Sequence, residues 1–445
     1  MEHLKIDLSS RPAENRLLIT LSLPPWVSSA VIMSATAMTK RRILVVGSGP
    51  AGVAASIAAR RADTDNDVIL LAAETSLPYE KPPLSKEVLT EGIDPSAYPI
   101  VPADVLAEID FRTGSHVVEI DRVAQLVGLS NGQRLGYDAL VLATGGTPRL
   151  LPELPLSIPN VFYLRNSADA LALRNGLSDM ADKQVCIIGA GLIGLEVVAA
   201  ATLSGAAVTV IEAGATAIPR FGSDEMARRV TARHERAGVR FKWNTMVTGT
   251  KTTDSAIMLH LNNGQSILAD LVVVGIGTQP NSEIAEGSGL AVDGGILVND
   301  QCQTSDPKIF AAGDVVKFQT AWVESLVMLE NWRHALDQGE VAGTNAGGGN
   351  VTYDTVPSFW SDQYELKLQG VGWSDGCISP VALRELEHGR MIEFYMNNDC
   401  LRYAVGIGAG RDLAIAKRLI ERKIKVDPSD LADPEVKLAT ILRST

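Results

Sequence analysis

Ile43-Leu44-Val45-Val46-Gly47-Ser48-Gly49-Pro50-Ala51-Gly52 decides the reading of this chain, and Val185-Cys186-Ile187-Ile188-Gly189-Ala190-Gly191-Leu192-Ile193-Gly194 repeats it mid-chain. Each stretch is a short apolar run of the kind that forms a buried strand. Each ends in Gly-x-Gly-x-x-Gly and opens an apolar segment of helical character. In that context the three glycines have separate tasks: a tight turn, close approach of backbone to a pyrophosphate, and close packing of helix on strand. The pyrophosphate sits on the helix N-terminus, where free N–H groups and the helix dipole favour negative charge. Two such loops predict two dinucleotide sites. The simplest chemistry for the pair is hydride exchange between a flavin and a nicotinamide.

An acid at the end of the next strand completes such a site. Glu212 closes Val208-Thr209-Val210-Ile211 at about the expected 20-residue interval after the second loop. A carboxylate there binds both ribose hydroxyls and repels a 2′-phosphate. Gly194, and the lack of an arginine directly after Glu212, point the same way, so NADH is expected. The plain alternative is a solvated acid at a strand end. After the first loop the best candidate is Glu74, which follows Leu71-Ala72-Ala73 with a small offset. It is expected on the adenosine ribose of the flavin.

The chain has 445 residues, too many for one ordinary core, so two or three domains are expected. With 46% hydrophobic and 21% charged residues, the composition is that of a soluble globular protein. A formal charge of −12 argues against nucleic acid as a partner. Cys186, Cys302, Cys377 and Cys400 are scattered without Cys-x-x-Cys spacing, which reads as reduced thiols in the cytoplasm. No histidine pair has ligand spacing, and no metal is expected. The longest apolar stretch, Leu17 to Met33, is interrupted by Pro24-Pro25, so no membrane span is expected. Ala35-Thr36-Ala37 mimics a signal-peptidase site, but Glu2, Asp7 and Glu14 precede it. Residues 1–40 are expected to be a leader outside the enzyme, with Met33 or Met38 as the working start.

The coarse pattern is α/β: two Rossmann-like dinucleotide-binding domains followed by an α+β domain. The first domain is expected from 41–147 and 277–346, the second from 148–276 and the third from 350–445. A helix from about Gly52 to Arg61 carries Ala54, Ala55, Ala58 and Ala59 for close packing on the sheet. Leu77-Pro78-Tyr79-Glu80-Lys81-Pro82-Pro83-Leu84-Ser85-Lys86 reads as a stiff loop, since proline is costly inside helices and central strands. The strand Asp138 to Leu142 ends in the small residues Ala143-Thr144-Gly145-Gly146. Leu271 to Gly277 closes the second domain, and Ile309 to Ala312 leads through Gly313 to a lone acid, Asp314. Gly347-Gly348-Gly349 reads as a flexible joint.

On these residues the chain resembles the FAD-dependent, NADH-dependent ferredoxin reductases of oxygenase systems. It is more distantly similar to the apoptosis-inducing-factor and monodehydroascorbate-reductase families. The matching runs are Pro82-Pro83-Leu84-Ser85-Lys86, Leu142-Ala143-Thr144-Gly145-Gly146-x-Pro148-Arg149, Ile193-Gly194-Leu195-Glu196-Val197 and Gly275-Ile276-Gly277-x-x-Pro280-Asn281. Gln303-Thr304-Ser305-Asp306-Pro307, Gly313-Asp314 and Phe359-Trp360-Ser361-Asp362-Gln363-Tyr364-Glu365 follow. The resemblance runs from about Arg41 to near the C-terminus.

It implies that Gly47, Gly49, Pro50, Ala51 and Gly52 hold the FAD pyrophosphate, with Lys81, Ala143, Thr144 and Gly145 beside the cofactor. Val117 is expected at the adenine, Arg165 at the flavin nucleotide, Asp314 on a ribityl hydroxyl, and Trp332 and Trp360 near the isoalloxazine. Gly189, Gly191, Leu192, Ile193, Gly194, Glu196, Glu212 and Gly277 form the nicotinamide side. Lys86 and Glu196 are the catalytic pair: an ammonium at the flavin edge, held by a carboxylate. Three positions depart from the family. Ala73 stands where a ribose-binding acid is common, Lys81 replaces an arginine and loses its bidentate fork, and His334 stands where asparagine is usual.

A disulfide reductase of this fold needs a redox cysteine where the Pro-Pro-Leu-Ser-Lys run lies, and that run has none. The implied activity is an electron relay from NADH through FAD to a small [2Fe-2S] ferredoxin serving a monooxygenase, P450 or dioxygenase. Such a ferredoxin is usually acidic, so docking calls for a local basic patch. Lys417, Arg418, Arg422, Lys423 and Lys425 are one candidate, and a solvated helix face is the plainer reading. Two other activities fit the same motifs: reduction of a small quinone or monodehydroascorbate-type acceptor, and signalling with FAD and NADH as conformational ligands.

Overall fold

In the computed structural model the described residues are 40–443, except 254–255, 321 and 375–378. The expected leader up to residue 39, with both alternative start methionines, and Cys377 lie outside the described residues.

Five strands pair in parallel to form the first sheet, in the order Ile309–Ala311, Ala139–Leu142, Arg42–Val46, Asp67–Leu71, Asp110–Arg112. Ile43, Leu44 and Val45 are fully buried, as expected for a sheet covered on both faces. The second sheet has the same plan: Val161–Tyr163, Leu271–Val274, Gln184–Ile188, Ala207–Ile211 and Arg240–Lys242, all parallel. Each carries a three-stranded antiparallel sheet, Val117–Asp121 with Leu126–Leu129 and Arg134–Gly136, and Val247–Thr252 with Ile257–Leu261 and Ser266–Ala269. The chain crosses between the two units twice. The crossings pair as antiparallel strands Gly146–Pro148 and Thr278–Pro280, tied further by Asn281 Nδ2 donating to the Thr144 carbonyl at 2.9 Å.

The first helix, Pro50–Ala62, starts on a proline, whose fixed φ suits the first helical turn. Its small face does not only lie on the sheet. It also meets the helix Trp332–Ala346, whose backbone comes so close that a Cβ on Gly343 would lie 2.0 Å from the Ala55 carbonyl oxygen. A Cβ on Gly339 would lie 2.3 Å from that of Ala51. Gly347, expected in a flexible joint, continues the four-residue spacing: it packs on Ala59 and Ala62 and caps the helix by donating to the Gly343 carbonyl. This contact brings the start of the second helix to the mouth of the first glycine loop.

The last unit is a five-stranded antiparallel sheet, ordered Ser358–Gln363, Leu366–Gly372, Cys400–Ile407, Met391–Asn397, Pro380–Glu385. Alternation puts Ile392, Phe394 and Ala404 on the face that packs with the helix Gly410–Glu421 and the first domain. Tyr395, Tyr403, Val405 and Ile407 face the second domain. Both faces are covered, so Met391 to Met396 are buried without a break. The helix Leu192–Leu203 is therefore clamped between its own sheet and Ser358–Gln363, which explains why it is apolar on nearly every side.

Candidate functional site

All three units contribute to one cavity of about 510 Å³. The first glycine loop forms one end. At Gly47 (φ +106°) a Cβ would strike the Ala143 carbonyl at 2.1 Å, and at Gly52 one would strike the Gly47 carbonyl at 1.7 Å. These two glycines, with the small residue Ala143, are required by the fold itself. Gly49 is different. Its backbone is extended, and an added Cβ would meet no protein atom within 4 Å. Neither conformation nor packing among the described residues demands glycine there, and the open space leaves room for a ligand at the helix N-terminus. Gly191 repeats this pattern, with Gly189 (φ +105°) and Gly194 packed as Gly47 and Gly52 are. Both loops therefore fit a dinucleotide pyrophosphate.

The Pro-Pro run forms the cavity wall. It is not an irregular loop: Pro82–Ser85 is a 3-10 turn and Glu87–Thr90 continues as a short helix, with Lys86 at the junction. Prolines at the first helical positions suit this start, and the turn holds Lys86 Nζ 2.8 Å from Oε2 of Glu196. Glu196 is buried in the helix after the second loop, and it accepts from three side chains. Besides Lys86 these are Ser85 on Oε2 and Ser361, from the third unit, on Oε1 at 2.6 Å. Lys86 also donates to the Pro82 carbonyl at 3.2 Å. The pair places the ammonium at the cavity wall.

Asp314, expected as a lone acid, is paired. Its Oδ2 lies 3.1 Å from Nη2 of Arg165, joining first and second units across the cavity. Burial pushes the Asp314 carboxyl above its ordinary range, and the Arg165 guanidinium opposes this. Glu74 takes Lys81 Nζ on Oε1 at 3.0 Å and the Tyr79 hydroxyl on Oε2 at 2.6 Å. Burial draws the Lys81 ammonium below its usual range, while Glu74 pulls it back up. Trp332 and Trp360 meet edge to face, ring centres 5.7 Å apart, and both line the cavity. The Trp332 indole N–H is buried and finds no acceptor among the described residues.

The cavity does not take in every expected residue. Gly47, Gly49, Pro50, Ala51, Ala143, Thr144, Gly145, Leu192 and Ile193 line it, but Gly52, Gly189, Gly191, Gly194, Glu212 and Gly277 do not. Val117 is buried in the core opposite Leu129 and also lies off the lining. Glu212 accepts the Ala190 N–H on Oε2 and the Gly214 N–H on Oε1, both at 2.7 Å. Its first role is to brace its own loop, and the lone pairs left on each oxygen remain for a ribose. Among the described residues no group of three His, Cys, Asp or Glu is placed to hold a metal, and no helix is long and apolar enough to cross a membrane.

Residues 41–339 match the family model described as pyridine nucleotide-disulphide oxidoreductase, and 358–442 match the reductase C-terminal model. The chain belongs to the pyridine nucleotide-disulphide oxidoreductase family. It is 35% identical to rhodocoxin reductase of Rhodococcus erythropolis over 89% of this chain and 93% of that one. It is 36% identical to the anthranilate 1,2-dioxygenase system ferredoxin–NAD(+) reductase component of Burkholderia cepacia, over 91% and 100%. Among solved structures, the covalent putidaredoxin reductase–putidaredoxin complex superposes with a TM-score of 0.86 at 32% identity, covering 91% of this chain and 98% of that one. As a family member with two dinucleotide loops, the chain is an FAD-dependent NAD oxidoreductase.

For a family named after disulphide chemistry, the thiols sit in the wrong places. Cys186 is fully enclosed in the second sheet, where burial pushes its pKa up to about 12. Cys302 is equally buried, and no described cysteine lines the cavity. Lys86 occupies the wall instead.

Sequence reasoning missed several lining or supporting residues. Arg220 and Phe221 line the cavity from the turn Pro219–Phe221, and Arg220 pairs with Glu330, which also accepts from Thr278. Ser85, Ser361, Gln363 and His234 surround Glu196 and its partners. The one available signal was alternation: Ser361 and Gln363 are two apart on a strand and so share a face. The basic cluster on the last long helix is largely answered by its own surroundings. Lys417 lies 4.0 Å from Glu421, Lys425 lies 2.9 Å from Asp399, and Lys423 sits over the Trp322 ring. None of the five cluster residues lines the cavity.

Proposed function

We propose that this protein passes electrons from NADH, through FAD, to a small [2Fe-2S] ferredoxin that serves an oxygenase. The observation that carries this reading is Lys86, held on Glu196 at the cavity wall where a disulfide reductase needs a thiol. The names of relatives that serve dioxygenase systems, and the solved complex of putidaredoxin reductase with putidaredoxin, support the acceptor.

The loop of Gly47, Gly49, Pro50, Ala51 and Gly52 binds the FAD pyrophosphate, with Glu74 and Lys81 toward the adenosine and Asp314 and Arg165 toward the ribityl chain. Trp332 and Trp360 border the ring system. Gly189, Gly191, Gly194 and Glu212 bind NADH, with Leu192 and Ile193 leading it toward the cavity. The first unit (41–147 and 277–346) is the FAD domain, 148–276 the NAD domain, and 350–445 the C-terminal domain. Bound FAD supplies two-electron uptake from a nicotinamide and single-electron release to an iron–sulfur centre. The protein's own contribution is electrostatic and positional. Lys86 places a fixed positive charge at the wall, Glu196 keeps it there, and the burial of the pair makes that charge count for more than it would in water. Per turnover one NADH becomes NAD+ and a proton, and two ferredoxins each take one electron. The buried thiols of Cys186 and Cys302 suit a reducing compartment, and we assign the protein to the cytoplasm.

Cytochrome c reduction with the FAD-loaded enzyme and NADH tests the acceptor. Adding candidate [2Fe-2S] ferredoxins should raise the rate well above that of the enzyme alone. A rate that no ferredoxin raises, with brisk reduction of quinones, would favour a small-molecule acceptor. Negligible flavin reduction by NADH would favour the signalling reading.

A further inference from the structure

A line of side chains runs from Tyr364 of the third unit, through His234 of the second, to the catalytic pair. The Tyr364 hydroxyl lies 3.2 Å from His234 Nδ1, and His234 Nε2 lies 2.9 Å from Gln363 Oε1. Gln363 Nε2 donates to Ser361 Oγ at 3.1 Å, and Ser361 Oγ donates to Glu196 Oε1 at 2.6 Å. Glu196 Oε2 then holds Lys86 Nζ. His234, Gln363, Ser361 and Glu196 are all buried.

The direction of every bond follows from the chemistry of the ends. An ionised carboxylate only accepts, so Ser361 must give its single hydroxyl proton to Glu196. Ser361 then has only lone pairs to offer Gln363, so the amide nitrogen of Gln363 faces it. The amide oxygen faces His234, whose Nε2 carries the proton and whose Nδ1 accepts from Tyr364. A neutral imidazole satisfies both contacts. Reversal at any link between His234 and Glu196 leaves two donors or two acceptors facing each other inside the protein, which is costly.

We propose that Ser361 is a positioning residue for the Lys86–Glu196 pair, and that Gln363 and His234 fix the direction of its hydroxyl. The third domain thereby completes the reaction centre. Glu196 belongs to the second domain and Lys86 to the first, and without Ser361 the Oε1 oxygen is left buried and unpaired. The carboxylate then turns to recover a partner and draws Lys86 with it. The inference rests on the proposed function, because it assigns Lys86 its role beside the flavin.

The test uses the FAD-loaded enzyme. Stopped-flow reduction by NADH should be about tenfold slower in Ser361→Ala, the worth of one placed hydrogen bond, with NADH affinity unchanged. Ser361→Thr keeps the hydroxyl and should restore the rate. The flavin midpoint potential should become more negative in Ser361→Ala, a readout independent of turnover. In a Lys86→Met background, Ser361→Ala should add no further slowing, because it acts through Lys86. If Ser361→Ala does not fold, Gln363→Glu replaces it. A second acceptor there competes for the Ser361 proton and should slow reduction in the same way. Wild-type enzyme that NADH fails to reduce sinks the functional reading. Wild-type enzyme that is reduced normally, with Ser361→Ala equally fast or its effect additive with Lys86→Met, overturns the positioning role alone.

Discussion

Lys86 Nζ lies 2.8 Å from Glu196 Oε2, although one sits after a 3-10 turn of the first unit and the other in the helix behind the second glycine loop. Their side chains are only 13% and 5% exposed. A charge pair this dry is held in one geometry, which is what a site needs if it must place a charge before its substrate arrives.

Lys86→Met keeps the length of the stem and removes the charge. Hydride transfer from NADH should slow on the order of 10²-fold, comparable to the loss of one electrostatic donor in other enzymes. Stopped-flow bleaching of the flavin measures it, and an unchanged rate would reduce Lys86 to a structural residue.

Two glycines, one in the second loop and one inside the helix Trp332–Ala346, should respond differently to the same change. Gly191→Ala adds a methyl group into space that no protein atom occupies, so the melting temperature should hold while NADH affinity falls by about tenfold or more. Gly343→Ala forces a contact with the Ala55 carbonyl and should cost about 1–3 kcal/mol of stability, read as a lower melting temperature and poorer FAD retention. Equal effects of both changes on stability would refute the assignment of Gly191 to ligand approach.

Glu212 carries two loads. Glu212→Ala with Ala213→Arg should erode the preference for NADH over NADPH, measured as the ratio of kcat/KM values. The same variant leaves the N–H groups of Ala190 and Gly214 without their acceptor, so a stability loss of about 1–3 kcal/mol should accompany it. A wild type that already prefers NADPH contradicts the role given to Glu212.

Acid sensitivity should come partly from His234. Burial depresses its pKa from 6.5 to about 4, with Gln363 opposing and Arg233 reinforcing. The unfolded chain therefore takes up a proton below pH 6.5 that the folded protein refuses. Stability from this group is complete above pH 6.5 and is lost as pH falls toward 4, by about 3 kcal/mol in all. His334, buried beside Tyr353 with its pKa pushed down to about 3, adds a loss of the same sign. Melting temperatures between pH 7.5 and 5 should fall, and His234→Gln or His334→Asn should flatten that fall. An identical slope in both variants would rule these histidines out.

The parts of the site that were legible in the sequence are those whose meaning is local. The glycine loops, the acid after the second strand and the proline-rich run before Lys86 each depend on neighbours within a few residues. Even there the reading was incomplete: two consecutive prolines suggested a rigid loop, yet proline also starts helical turns, and Pro82–Ser85 is one. The small face of Pro50–Ala62 was visible, but its partner was not. Nothing near Ala51 and Ala55 announces that Gly339 and Gly343 will cover them.

By itself, then, the sequence determined that this chain has two dinucleotide loops, a lysine where a thiol chemistry needs cysteine, and a family whose members reduce through FAD and NADH. Backbone turns and helix starts are set by short-range sterics and hydrogen bonds, so contiguous residues suffice to specify them. Tertiary structure alone decided the pairings: Arg165 with Asp314, and Ser361 with Glu196. Ser361 and Glu196 are 165 positions apart. What joins them is the burial of a third sheet against the second domain's helix, a nondirectional force that leaves no mark on either residue's neighbours.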